Sequence, residues 1–128
     1  MLRVLFAEDQ DFVRHASVRG LRHHFDIVEA TDGRHASELI EAGPAFDVLV
    51  TDVQMPHIDG LTLIRLLRER GDPLGARALV LTADLTRHSI LEIWGIDALE
   101  KPVPIVALRL AIERVAKRQL RVRADNRG

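Results

Sequence analysis

The stretch FDVLVTDVQMPHIDG occupies residues 46–60. Its first part, Phe46–Thr51, is an apolar, β-prone run, which is typical of a strand covered on both faces of a parallel sheet. An acid, Asp52, follows the run, and Met55-Pro56 and Asp59-Gly60 are residue pairs that favour turns. Because the next segment, Leu61–Arg70, has a helical pattern, the stretch predicts a β-α unit with Asp52 at the end of its strand.

The same succession of a short apolar run and a longer amphipathic segment occurs five times along the chain. The predicted strands are Leu2–Ala7, Phe25–Ala30, Phe46–Thr51, Ala78–Thr82 and Ala98–Glu100. The predicted helices cover residues 11–24, a segment from Gly33 to Gly43-Pro44, Leu61–Arg70, a short piece within Thr86–Trp94, and a last helix that Pro104 opens. This alternation predicts an α/β domain with a parallel sheet and right-handed crossovers.

Two of the helices carry apolar faces. In the first helix we place Phe12, Val13, Ala16 and Leu21 on one side. In the last helix, the core-facing stripe is predicted to consist of Ile105, Leu108, Ile112 and Val115.

Composition excludes several classes of protein. The chain has 128 residues, 47% hydrophobic and 29% charged, so it fits one globular domain and is too apolar to be disordered. It has no cysteine, which excludes disulfides and thiolate chemistry. A net charge of −1 gives no overall attraction to nucleic acid or membranes. Since the apolar N-terminal run stops at Glu8, it is too short for a signal peptide or a membrane span, and we expect a cytoplasmic protein.

Polar residues follow four of the predicted strands. Glu8-Asp9, Asp52, Thr82 and Lys101 each stand at a strand's carboxyl end, where function gathers in open α/β sheets. Three carboxylates in one pocket repel one another and favour a cation, and an all-oxygen ligand set suits Mg²⁺ or Mn²⁺. Lys101 and Thr82 would offset charge on a phosphoryl group in transfer, with Asp52 as the nucleophile.

These motifs resemble the receiver domain of two-component response regulators. The resemblance covers residues 2 to about 118 and rests on the acidic pair Glu8-Asp9, the run from Thr51 to Gly60, the element Leu81-Thr82-Ala83 and the pair Lys101-Pro102. It implies a flavodoxin-like, doubly wound sheet of five parallel strands in the order 2-1-3-4-5 with five helices. The implied function is a phospho-acceptor switch in a phosphorelay.

The resemblance also implies a role for each matching residue. Asp52 would accept a phosphoryl group from a sensor histidine kinase or histidine phosphotransferase. Mg²⁺ would be bound by Asp9, Asp52 and the backbone carbonyl of Gln54, with Glu8 acting largely through a metal-bound water. Lys101 and Thr82 would contact the phosphoryl group, Lys101-Pro102 would be a cis peptide, and Gln54 and Asp84 would tune hydrolysis of the phosphoaspartate.

The sequence departs from the family's pattern in two places. Ala98 stands where an aromatic residue is usual, and the segment between Thr82 and Lys101 is short, which should trim the fourth helix or its exit loop. Residues 1–120 are expected to form the receiver domain and residues 121–128 a polar, basic tail. No output domain is expected, so the protein would signal through a protein partner rather than bind DNA.

Three alternatives stay open. The chain could be the receiver piece of a larger regulator or hybrid kinase. It could be an aspartyl-phosphate phosphatase, although those enzymes generally have a second acid where Gln54 stands. It could also be a pseudo-receiver that only binds proteins, against which the complete set of Asp9, Asp52, Thr82 and Lys101 argues. In the favoured case the chain is no ordinary enzyme, since its chemistry is limited to its own phosphorylation and dephosphorylation.

Overall fold

Five parallel strands form one sheet in the order β2-β1-β3-β4-β5. The computed structural model describes residues 1–127, with side chains described for residues 1–117. The strands are β1 (Arg3–Ala7), β2 (Asp26–Ala30), β3 (Val48–Asp52), β4 (Ala78–Thr82) and β5 (Asp97–Glu100). Both the number of strands and their order agree with the expectation from the sequence.

Helices connect the strands, as the alternating pattern predicts. They are α1 (Asp11–Leu21), α2 (Gly33–Ala42), α3 (Gly60–Glu69), α4 (Ile90–Trp94) and α5 (Ile105–Arg127). Single 3-10 turns at Pro73–Ala76 and Leu85–Arg87 precede β4 and α4. α4 has only five residues, in agreement with the shortened segment between Thr82 and Lys101. The predicted tail covers residues 121–128. Gly128 lies outside the described residues, and the side chains of residues 121–127 are not described.

Alternate residues of the strands enter two separate cores, because successive side chains point to opposite faces of a sheet. On one face Val4, Val48 and Leu79 pack with α1 and α5. On the other face Leu5 and Leu49 pack with α2, α3 and α4. The sheet is therefore covered on both sides, and its exposed functional groups are confined to its edges and strand ends.

The buried face of α1 differs from the predicted one. Phe12 is 87% exposed and Ala16 is also exposed, whereas the buried residues of the helix are Arg14, Val18 and Leu21. The prediction is confirmed for Leu21, while Val13 is half-buried, and it is wrong for Phe12 and Ala16. Residues spaced by four and three positions share one face of a helix, and this spacing puts the charged side chain of Arg14 on the inner face with Val18 and Leu21. The stripe predicted for α5 is correct: Leu108, Ile112 and Val115 are buried and Ile105 packs against them.

Across residues 1–127, no helix combines the length and the apolar character needed to cross a bilayer.

The two apolar ends of α1 give a stability test. Leu21→Ala removes a fully buried side chain, so we expect the free energy of unfolding to fall by about 2–5 kcal/mol. Phe12→Ala removes a larger side chain that is 87% exposed, and should change the free energy of unfolding by less than about 0.5 kcal/mol. Urea unfolding of both variants checks this, and a larger loss in Phe12→Ala would contradict the assigned face.

Candidate phosphoryl-acceptor and metal site

The carboxyl ends of four strands bring the predicted polar residues to one edge of the sheet. Asp52 is the last residue of β3 and Thr82 the last of β4, while Glu8 directly follows β1 and Lys101 directly follows β5. The ladder continues beyond the strands, since the Lys101 amide donates to the Thr82 carbonyl at 2.7 Å and the Val53 amide to the Leu81 carbonyl at 3.1 Å. Backbone pairing thus fixes the positions from which these side chains project.

Three carboxylates meet at this edge. Oxygen atoms of Glu8, Asp9 and Asp52 lie within 4.8 Å of one another. Glu8 is 1% exposed and accepts a hydrogen bond from the Gln10 amide at 3.2 Å. Burial, followed by a hydrogen bond with the Glu8 carboxyl group, raises the pKa of Asp9 above its ordinary value of 3.8. Burial first, and then the neighbouring Glu8 carboxyl group, therefore make ionisation of Asp9 less favourable than in water unless a cation is near.

The Lys101 ammonium bridges two of the three carboxylates. Its Nζ lies 2.9 Å from Glu8 Oε1 and 3.0 Å from Asp52 Oδ2. Burial alone would lower the pKa of Lys101, but hydrogen bonds to Glu8 and Asp52 outweigh it and raise the pKa above 10.5. Lys101 is therefore positively charged, and Glu8 lies behind it, deeper in the protein than Asp52.

An open cleft lies above these groups. Asp52 keeps 14% of its side chain exposed, and its Oδ1 accepts a hydrogen bond from the Val53 amide at 2.8 Å. The Thr82 hydroxyl is buried and bonded to the backbone of Asp84, whose amide donates to Oγ1 at 3.2 Å. The cleft is lined by Asp9, Gln10, Asp52, Val53, Gln54, Met55, Pro56, Asp59, Thr82, Ala83, Asp84, Arg87, His88 and Lys101. Asp52 is thus reachable from solvent, with Thr82 and Lys101 on the same wall of residues.

The loop after β3 is held against the strand end. A Cβ on Gly60 would lie 2.1 Å from the Asp52 carbonyl oxygen, so only glycine lets the start of α3 approach so closely. The Gly60 amide donates to the Val53 carbonyl at 2.8 Å, and Asp59 caps α3 by accepting from the Thr62 amide at 2.7 Å. The Asp59-Gly60 pair therefore fixes the loop that carries Gln54. The Lys101-Pro102 bond is cis, as the resemblance implies.

Sequence reasoning missed some members of this region. Arg87 and His88 line the cleft, and Arg87 Nε lies 3.6 Å from Asp84 Oδ2. Hydrogen bonds from Thr86 lower the pKa of Asp84. Arg14, beneath the Glu8-Asp9 turn, was also missed. Its signal in the sequence was a basic residue in register with the apolar positions Val18 and Leu21.

Comparison with known proteins agrees with this geometry. The family model described as the response regulator receiver domain matches residues 4–113. The response regulator MprA of Mycobacterium ulcerans is 40% identical over 131 aligned positions, and the alignment covers 97% of this chain and 53% of the relative. The sensor kinase CckA of Brucella abortus is 44% identical over 68 residues, covering 52% of this chain and 7% of that kinase.

A solved structure has a similar fold over nearly the whole chain. The receiver domain of the Francisella response regulator 1452 has a TM-score of 0.82 and 30% identity, and the match covers 92% of this chain and 98% of that one. The chain spans about half the length of the MprA relative, so the comparison concerns the receiver portion of that regulator. Together with the polar residues at four strand ends, these matches establish that the chain belongs to the response regulator receiver domain family.

Proposed function

We propose that this domain is a phospho-acceptor switch in a two-component phosphorelay. In it, Asp52 takes a phosphoryl group from the phosphohistidine of a sensor histidine kinase or a histidine phosphotransferase. The observation that carries the proposal is the position of Asp52, which opens onto the cleft and lies 3.0 Å from the Lys101 ammonium. A nucleophilic carboxylate, a fixed cation and a neighbouring hydroxyl are the groups that phosphoryl transfer requires.

Asp52 is the best nucleophile among the three carboxylates. Glu8 has only 2% of its side chain exposed and is bonded to Lys101 and to the Gln10 amide, so an incoming phosphorus atom cannot reach it. The Lys101 ammonium pairs with Glu8 and with Asp52, whereas the ion pairs of the described side chains include none to Asp9. Asp52 is both open to the cleft and paired with a cation.

The donor set fits Mg²⁺, or Mn²⁺ in its place. Three carboxylates with oxygen atoms within 4.8 Å of one another, and an open cleft with room for water, match the preference of these ions for octahedral oxygen ligands. Asp9, Asp52 and the backbone carbonyl of Gln54 would bind the ion, with Glu8 acting through water. When bound, the ion neutralises charge on the phosphoryl oxygens.

The chain's own residues then perform the transfer. A carboxylate oxygen of Asp52 forms a bond to phosphorus while the bond from phosphorus to the donor's histidine nitrogen breaks, and that nitrogen keeps the electron pair. Lys101 stays protonated because its pKa is raised, so it offsets negative charge on the transferred group throughout. The Thr82 hydroxyl exchanges its contact with the Asp84 backbone for a phosphoryl oxygen, and this new contact would favour the active conformation.

The output of the switch depends on a partner. With Ala98 on β5 in place of a ring, we propose that the change after phosphorylation is taken up by the 3-10 turn at Leu85–Arg87 and by α4. MprA and CckA, of which this chain spans 53% and 7%, are a response regulator and a sensor kinase. These two partial matches favour the hypothesis that this receiver domain works within or beside a larger signalling protein. Gln54 and Asp84, both in the cleft wall, would set how readily water reaches the phosphoaspartate.

Labelling with a small phosphodonor tests the acceptor. Treated with phosphoramidate and Mg²⁺, the parent protein should gain one phosphoryl group that is released by base, and Asp52→Asn should gain none. Asp59→Asn is the matched control, because it changes another cleft carboxylate while asparagine still caps α3. Mass spectrometry of the intact proteins measures the result.

Two outcomes would contradict the assignment of Asp52. Equal labelling of Asp52→Asn and the parent protein would move the acceptor elsewhere. Repeated turnover of an exogenous phosphate ester, with more phosphate released than protein present, would favour the aspartyl-phosphate phosphatase.

Removing one carboxylate tests the metal site. Because its pKa is raised in the folded protein, ionised Asp9 lowers the free energy of unfolding at neutral pH, and this effect fades as pH falls through the raised pKa. Without metal, Asp9→Asn should therefore be no less stable than the parent at neutral pH, with the difference narrowing in acid. Its Mg²⁺ affinity should fall at least about tenfold, because a neutral amide replaces a charged oxygen ligand and even groups one shell further out commonly contribute 10–100-fold.

Asp26→Asn is the control for this change, because Asp26 lies at the other end of the sheet at the start of β2 and its side chain is 60% exposed. Chemical denaturation in chelator and calorimetric titration with Mg²⁺ give the two quantities. An Asp9→Asn variant that binds Mg²⁺ as tightly as the parent would refute the site.

A further inference from the structure

A buried cation lies directly beneath the Glu8-Asp9 turn. Arg14, on α1, is 5% exposed, and with Glu8, Thr51 and Thr82 it makes up the buried polar residues of the described side chains. Arginine is rarely buried without partners because its charge must leave water. Such a residue on the inner face of a helix therefore calls for a specific role.

The guanidinium of Arg14 is used in three directions. One terminal nitrogen donates to the Glu8 backbone carbonyl at 2.8 Å, and the other donates to Asp11 at 2.6 Å. The Nε atom donates to Glu29 on β2 at 3.1 Å. Burial alone would lower the pKa of Arg14, but the bonds to Asp11 and Glu29 outweigh it and raise the pKa. The carboxylates of Asp11 and Glu29 thus hold two of the three guanidinium nitrogens, and the third nitrogen donates to the backbone of the turn.

The peptide groups of Glu8 are held from two sides. The Glu8 amide donates to the Ala30 carbonyl at the end of β2, at 3.1 Å, and the Glu8 carbonyl accepts from Arg14. The carboxylates of Glu8 and Asp9 have oxygen atoms within 4.8 Å of each other and of Asp52, so these groups repel one another when they are ionised. Without the bond from Arg14, the turn could relax and move its carboxylates apart.

We propose that Arg14 is a positioning residue for the metal site: by binding the Glu8 carbonyl, it holds the Glu8-Asp9 turn in the conformation in which three carboxylates converge. This inference rests on the proposed function, because it concerns the affinity of that same site for Mg²⁺. Arg14 is not part of the carboxylate cluster and does not line the cleft, so it would act on the site through the backbone and not by contact with the metal or the phosphoryl group. Groups in this outer position commonly contribute 10–100-fold to metal affinity.

The variant Arg14→Lys distinguishes a positioning role of the guanidinium from a requirement only for positive charge at this position. Arg14→Lys keeps the positive charge but cannot reach three acceptors with a planar fork. We expect its Mg²⁺ affinity to fall about tenfold in calorimetric titration without any phosphodonor. The rate of labelling by phosphoramidate should also fall at low Mg²⁺ and return to the parent rate at saturating Mg²⁺.

Arg22→Gln is the matched control. Arg22 also bonds to Glu29, at 3.2 Å, but its side chain is 64% exposed and no bond links it to the turn. This variant should bind Mg²⁺ within about twofold of the parent. If Arg14→Lys does not fold, as judged by urea unfolding, Glu29→Gln replaces it, since that change loosens Arg14 and should weaken Mg²⁺ binding as well.

The outcomes separate this inference from the function on which it rests. If the parent binds Mg²⁺ and a folded Arg14→Lys or Glu29→Gln binds it equally well, Arg14 has only a structural role and the inference is overturned. The inference is also overturned if the labelling rate of Arg14→Lys stays low at saturating Mg²⁺. If the parent itself binds no Mg²⁺, both the proposed function and the inference fail.

Discussion

The Lys101 ammonium lies 2.9 Å from a Glu8 oxygen and 3.0 Å from an Asp52 oxygen, although Glu8 and Lys101 are 93 residues apart in the chain. Two unit charges about 4 Å apart interact with about 4 kcal/mol at an effective dielectric near 20, so three converging carboxylates without a cation would be costly to the fold. Lys101 offsets part of that repulsion in the protein alone. The repulsion that remains is the electrostatic basis of the proposed Mg²⁺ site, and in the proposed transfer the same lysine would neutralise charge on the phosphoryl group.

The parallel sheet makes this convergence possible. Because β1, β3, β4 and β5 run in the same direction, their carboxyl ends deliver Glu8, Asp52, Thr82 and Lys101 to one edge. The strands themselves are buried by helices on both faces, so the position of each strand end is set by core packing. Gly60 then allows the start of α3 to contact the backbone of Asp52. The site is therefore built from elements whose positions are set by the packing of the two cores.

The elements of this arrangement could be predicted from local patterns in the sequence, whereas the strand order that brings their ends together was implied by the resemblance to the receiver family. The apolar runs, the turn pairs and the acid or base at each strand end are all visible in a single chain. The parts that could not be predicted depend on contacts between distant residues. The apolar composition of α1 suggested that Phe12 faces inward, but Arg14 takes the inner position because Glu29 on β2 and the Glu8 carbonyl supply its partners. The bond from Lys101 to Glu8 could not be predicted for the same reason, since no sequence pattern reveals that the lysine pairs with both Glu8 and Asp52.

In the proposed mechanism, Asp52, Lys101, Thr82 and the acidic pair Glu8-Asp9 act together on one phosphoryl group. A crystal structure of the protein grown with Mg²⁺ and beryllofluoride, which mimics a phosphoryl group on a carboxylate, tests it most directly. We expect beryllium to be bonded to an Asp52 oxygen and Mg²⁺ to be bound to Asp9 and Asp52. The fluorine atoms should be contacted by Lys101 and by a Thr82 hydroxyl that has left the Asp84 backbone. Beryllofluoride on another carboxylate, or Mg²⁺ bound away from Asp9 and Asp52, would contradict it.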